Sequence, residues 1–253
     1  MGKFFTVTKK IEVVASKQHA AFGAGEVVAD WQAIQIPKGS SCLRSLTMLV
    51  RPKGDATPTR NAFGADIVFS KTNTVSLGTV GGALAHRPNP DIIGIIEITT
   101  GSYGTNSFQS TAIATTSIGS DEEHATTPLV LEGDPTSGDN IGYDTVYVGI
   151  AARGAFDFTS INVINDGDIN STTPTAIVMA GSGMDVREHY AVGDVLHAQD
   201  DILLGTVASI DGAATGPINL TSATSGAGDA TTVANGDTIY NLHPITLVLG
   251  LEK

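Results

Sequence analysis

A chain of 253 residues is long enough for one large β-domain or two smaller ones, either of which buries a sizeable core. The single Cys42 excludes an intramolecular disulfide and any zinc site built from several cysteines, and 41% hydrophobic against 16% charged residues, with 29 glycines, excludes a disordered chain in favour of a turn-rich globular one. The formal net charge of −12 is uneven, because residues 1–60 hold nine of the 14 Lys and Arg but four of the 26 acids, a net of +5 that leaves −17 for the rest.

An acidic body repels phosphate over a screening length of about 8 Å, so nucleic-acid binding would rest on the N-terminal segment alone. That segment has no dense basic run with interleaved aromatics. Its lysines fit solvated edges and turns, or a basic arm that docks on an acidic protein surface. MGKFFTVTKKIEVVA contains no uninterrupted apolar core of a signal peptide, and no stretch approaches the roughly 18 apolar residues of a membrane helix. A soluble, unprocessed chain is expected, with neither nucleic acid nor membrane as partner.

In chain order, VVADWQAIQI (27–36) alternates and ends at the Pro37–Gly39 turn, and SLTMLVR (45–51) stops at Pro52-Lys53-Gly54-Asp55. ADIVFS (65–70) and IIGIIEIT (92–99) are β-branched strands separated by the proline-bearing HRPNPD. Residues 100–128 are low in large apolar side chains and nearly free of periodicity, which predicts a long loop. PLVLEGD restarts a strand, and DTVYVGIAAR (144–153) and AFDFTSINVIN (155–165) give two more around Gly154. No segment sustains a helical period. Strands of irregular length with long connections predict an all-β fold whose N-terminal part, residues 1–165, is a jelly-roll-like β-sandwich.

The polar stretch NDGDINSTTPT (165–175) is the predicted boundary. Beyond it TAIVMA, DVLHA, ILLGTVASI, PINLTS, DTIYNL and ITLVLGL predict a small C-terminal β-barrel over residues 175–253. Within it AVGDVLHA (191–198) and ANGDTIYN (234–241) both place Gly-Asp before an apolar alternation, as a tight turn feeding a strand does.

Chemistry is sparse. There is no phosphate loop, zinc-binding HExxH or GxSxG elbow, and the glycines of FGAGEVV lack the third glycine and the helix that a dinucleotide needs. His189 and His197 with Asp200 or Asp201 are a conceivable zinc set, but turn residues of an acidic β-protein give the same spacing without metal. Asp166, Asp168 and Asn170 alternate as calcium ligands do, yet Ser171 and Ile177 stand where a calcium loop wants Gly and Glu. DPTSGDNIGYD is a similar Asx-rich turn. Trp31 is the only tryptophan, which gives a sugar cleft few aromatic platforms. No catalytic, cofactor or metal residue is therefore assigned.

DTVYVGIAARGAFDFTS, YAVGDVLHAQDDILLGTVASI and NGDTIYNLHPITLVLGLEK resemble virion structural proteins of tailed bacteriophages, especially marine ones. Among these the chain is most similar to capsid decoration (cement) proteins. That resemblance implies a non-enzymatic protein on the virion capsid surface, made in the host cytoplasm, whose partners are the major capsid protein and further copies of itself. A tail or tail-fibre adaptor, and a carbohydrate-binding module or glycan-degrading enzyme acting through the 100–128 loop, remain open alternatives.

Overall fold

The computed structural model describes residues 2–53, 59–85, 89–104, 111–117, 129–133, 143–158, 164–165, 167, 176–180, 185–211, 217–222 and 233–253. The first eight strands are β1 (Phe4–Ile11), β2 (Val27–Pro37), β3 (Ser41–Val50), β4 (Ala65–Ser70), β5 (Ile92–Ile98), β6 (Ala112–Ser117), β7 (Leu129–Leu131) and β8 (Tyr143–Ala152). They are followed by β9 (Ile164–Asn165), β10 (Ala176–Ile177), β11 (Met179–Ala180), β12 (Val195–Ala198), β13 (Leu203–Ile210), β14 (Ile218–Ser222), β15 (Ile239–Asn241) and β16 (Ile245–Glu252). Among the described residues helix is confined to single turns, α1 (Ala15–Gln18), α2 (Val186–His189) and a 3-10 turn at Thr100–Ser102.

Two antiparallel sheets form the larger unit. One runs β1-β16-β3-β6, with β7 beside the start of β3, and the other runs β2-β8-β4-β5. Numbered only by their own succession, the eight long strands are ordered 1-8-3-6 and 2-7-4-5. This is the jelly roll: each sheet takes strands alternately from the two halves of the chain, so neither forms without the other.

The reason for the pairing is visible in the alternation. In β16, Ile245, Leu247, Leu249 and Leu251 point inward, each at most 1% exposed, while Thr246, Val248, Gly250 and Glu252 are outside. β3 does the same with Leu46, Met48 and Val50, and β8 with Val146, Val148 and Ile150. These inward faces share one core, closed at one end by a phenylalanine cluster in which Phe63 and Phe156 stack with centroids 3.7 Å apart and Phe22 lies 5.1 Å from Phe156. The outer face of the second sheet carries a separate small core of Val27, Val68 and Leu77, with Trp31 against Gly149.

The smaller unit is an antiparallel sheet ordered β10-β14-β13-β12-β15 with its own core around Tyr190, Leu196, Leu204 and Ile218. Among the described residues β9 pairs only with β11.

The all-β class and the jelly-roll-like sandwich agree with expectation, and three parts of the sequence reading are corrected. The strand ITLVLGL, assigned to a C-terminal barrel, is β16 and lies between β1 and β3 in the first sheet. Residues 1–165 are thus an incomplete sandwich, and the second unit is an insertion between β8 and β16 rather than a terminal domain. Among the described residues the C-terminal sheet is open, not a closed barrel. Finally, the expected 100–128 loop contains β6, whose Ala112 and Ala114 are fully buried. Small residues pack there where the sheets come close, so the apolar pattern is muted. The stretch also holds the 3-10 turn Thr100–Ser102, and its residues 105–110 and 118–128 lie outside the described residues.

Candidate interaction surface

The stretch that brings His189, His197, Asp200 and Asp201 together in sequence separates them in function. Gly193, at φ 87°, and Asp194 close a turn in which Ala191 N–H donates to Asp194 Oδ2 at 2.8 Å. Asp237 repeats it: Gly236 has φ 100° and Ala234 N–H donates to Asp237 Oδ2 at 2.9 Å. The strands these turns feed, β12 and β15, pair antiparallel with His197 opposite Tyr240. The two Gly-Asp runs are therefore one structural device used twice.

His197 is a strand residue and Asp200 a turn residue, while Asp201 holds a positive φ of 62° and its Oδ1 accepts from Ser16 N–H at 2.8 Å. That bond caps α1 from the inserted unit. His189 is buried on α2. Among the described residues no group of three or more His, Cys, Asp or Glu side chains could hold a metal ion. The calcium candidates Asp166, Asp168 and Asn170 lie outside the described residues, as does most of DPTSGDNIGYD; its last residue, Asp144, is buried and accepts from Gly39 N–H at 2.7 Å.

What these groups build is the seam between jelly roll and insertion. Arg51 Nη2 donates to Asp194 Oδ1 at 2.7 Å, and the carboxylate is only 3% exposed. Gln18 Nε2 donates to Asn241 O at 2.7 Å, and His19 Nδ1 lies 2.8 Å from Tyr240 Oη. Burial pushes His197 and His243 below the usual histidine range; Asp201 and Glu12 oppose the shift at His197, and Lys10 adds to it at His243. Burial likewise raises Tyr190, whose hydroxyl donates to Ile239 O at 2.8 Å.

A groove of about 430 Å³ beside this seam is lined by Lys9, Glu12, Asp30, Trp31 and Gln32. The Asp30, Trp31 and Gln32 side chains are already committed. Trp31 Nε1 donates to Val75 O at 2.6 Å, Asp30 accepts from Ser76 and Leu77, and the Gln32 amide exchanges two hydrogen bonds with the Glu12 backbone. The indole is a clamp over the second sheet rather than an open platform for a sugar.

Two groups stand out among the nine basic residues of 1–60. Arg44, Arg51 and Lys53 form ion pairs with Glu252, Asp194 and Asp157. Lys3, Lys9, Lys10 and Lys17 follow the outer edge of the first sheet and α1 and make no ion pair among the described residues. Among the described residues β1 pairs only with β16, and lysines along such an edge also discourage uncontrolled strand addition.

The outer face of that sheet is nearly uncharged. Register places Thr8, Val248, Thr47 and Thr115 in one row, and Lys10, Thr246, Leu49 and Ile113 in the row at one end. At the other end the row is Phe4, Glu252, Cys42 and Val130, with Glu252 held by Arg44. Phe4 is 74% and Val130 49% exposed. Periodicity reports which residues face the core, so the composition of this outward set emerges only once register is known. No protein-family model, curated protein or solved structure matches the chain.

Proposed function

We propose that the chain is a phage capsid decoration protein, which binds the outer shell and stabilises it by adhesion rather than by catalysis. The observation that carries this reading is the jelly-roll strand order, an architecture that recurs in viral capsid domains and in lectins and cupins. The interior between its sheets is filled by apolar side chains. The basic edge of Lys3, Lys9, Lys10 and Lys17 on an otherwise acidic chain supplies a docking strip for an acidic shell surface. Many copies acting across capsomer boundaries make weak individual contacts effective through avidity.

The test is quantitative mass spectrometry of purified virions, followed by rebinding to shells stripped of the protein. A copy number comparable to that of the shell protein is expected, with rebinding that weakens as salt rises and is lost when Lys3, Lys9 and Lys17 are changed to Glu. A few copies per particle would favour a tail component instead, and complete absence from virions would overturn both.

A further inference from the structure

We infer that the outer face of the β1-β16-β3-β6 sheet is where two copies of this chain meet. The described residues of the face are exposed or half-exposed, and the inserted unit touches it at the Lys10 end, where Lys10 Nζ donates to Gly193 O at 3.3 Å. Four strands about 4.8 Å apart and eight residues long at about 3.3 Å each give roughly 500 Å² in plan. Two such faces together reach about 1,000 Å², the lower bound of a specific interface.

The occupant follows from charge. Each copy carries a formal net −12, so two copies repel wherever their acidic surfaces approach. Among the described residues the charges on or beside this face are Lys10 at one corner and two mutually neutralising pairs, Arg51–Asp194 and Arg44–Glu252, the latter with Nη2 and Oε2 2.5 Å apart. Between them stand hydroxyls and small aliphatic groups. A two-fold contact sets a patch against itself, and hydroxyls, which both donate and accept, satisfy that condition where a one-sign charged patch cannot. Thr47 and Thr115 already pair across the strands, Oγ1 to Oγ1 at 3.2 Å.

The corners supply anchors. Phe4 and Val130 stand at opposite edges of the same row, and a two-fold axis parallel to the strands lays Phe4 of one copy against Val130 of the other, twice. Aromatic side chains are enriched at interfaces, and two such contacts at opposite edges fix how the two sheets align.

The test is the mass of the full-length protein in solution by light scattering and sedimentation over a dilution series at physiological salt. A dimer, or a higher assembly built from dimers, is expected. Thr115→Lys, at a position exposed on its own fold, and Thr47→Lys each bury an unpaired charge in the contact and should weaken association at least 100-fold with unchanged circular dichroism. Ile95→Lys, on the exposed edge strand β5 of the other sheet, should leave association intact. A monomer at 100-fold the concentration expected for dimerisation of a 1,000 Å² contact, or dissociation by Ile95→Lys and not by Thr115→Lys, overturns the inference. Shell binding by a protein that stays monomeric would leave the proposed function standing while this face is rejected.

Discussion

The seam between the jelly roll and its insertion can be weighed because the chain contains its own control. Asp194 and Asp237 make the same turn bond, but only Asp194 is also gripped by a guanidinium from the other unit. Asp237→Ala removes the turn bond alone, worth about 1 kcal/mol. Asp194→Ala removes that bond and the ion pair. Breaking a fully buried pair costs about 3–5 kcal/mol, but Arg51 is 32% exposed and can turn to water, which brings the ion-pair part to about 2 kcal/mol. The expected totals are about 3 kcal/mol for Asp194→Ala and about 1 for Asp237→Ala. Arg51→Ala strands a carboxylate that is 3% exposed and should cost about 3 kcal/mol by itself. Equilibrium urea unfolding reads these values. Fluorescence of Trp31, the sole tryptophan and part of the jelly roll, reports one unit, and far-ultraviolet circular dichroism reports both. The double variant of Arg51 and Asp194 should cost about 2 kcal/mol less than the sum of the singles. Equal losses for Asp194→Ala and Asp237→Ala would refute the claim that this pair joins the units.

Asp201 should respond to shape rather than charge: Asp201→Asn keeps both the acceptor for Ser16 and tolerance of positive φ and should be near neutral, whereas Asp201→Ala should lose about 1–2 kcal/mol by thermal melting. Mild acid should loosen the seam, because His197 and His243 are both held below their ordinary value of 6.5 and neither Nδ1 has a hydrogen-bond partner among the described residues. The sign follows from the depressed folded values: stability is complete above about 6.5 and falls as the pH drops through the folded pKa values, by at most about 1.4 kcal/mol per pH unit per group. Urea midpoints between pH 7.5 and 5 measure it, and an undiminished acid loss in the His197→Gln, His243→Gln double variant would assign the effect elsewhere. Removing residues 245–253 deletes four buried side chains worth about 2 kcal/mol each, on the scale of a whole domain's net stability. Such a chain should lose the cooperative unfolding transition of the jelly roll, and a native-like Trp31 signal in it would contradict the central placement of β16.

Most long strands were legible because their inward residues are large. VVADWQAIQI, SLTMLVR, ADIVFS and DTVYVGIAAR correspond to β2, β3, β4 and β8 within a few residues. β1 and β6 escaped for opposite physical reasons. In FFTVTKKI both faces carry apolar residues, since Phe4 is exposed and Phe5 packs on the core, and Lys9 interrupts the inward series Phe5, Val7 and Ile11 of this edge strand. In AIATTS the buried residues are alanines, which carry too little apolar area to mark a face. AFDFTSINVIN was read as one strand, whereas Phe156 makes a single bridge to Phe22 and turns its ring into the aromatic cluster.

The placement of β16 could not be read from the chain at all, and the duplicated turn explains why. ANGDTIYNLHPITL follows the pattern of AVGDVLHAQDDILL, so local sequence predicts the same outcome twice: a turn, a short strand, then a hairpin return. The first copy does this, because Ala198 N–H donates to Ile202 O and β13 folds back beside β12. In the second copy His243 and Pro244 stand where the hairpin would close, and Pro244 has no N–H for such a bond. The Pro244 carbonyl instead accepts from Arg51 N–H at 2.8 Å, and Leu242 O accepts from Val13 N–H at 2.9 Å, which delivers the chain into the gap between β1 and β3. One proline thus separates two near-identical local instructions into different sheets. The same Arg51 that receives the chain at its backbone grips Asp194 through its side chain, so the return of the final strand and the docking of the insertion are fixed at one residue.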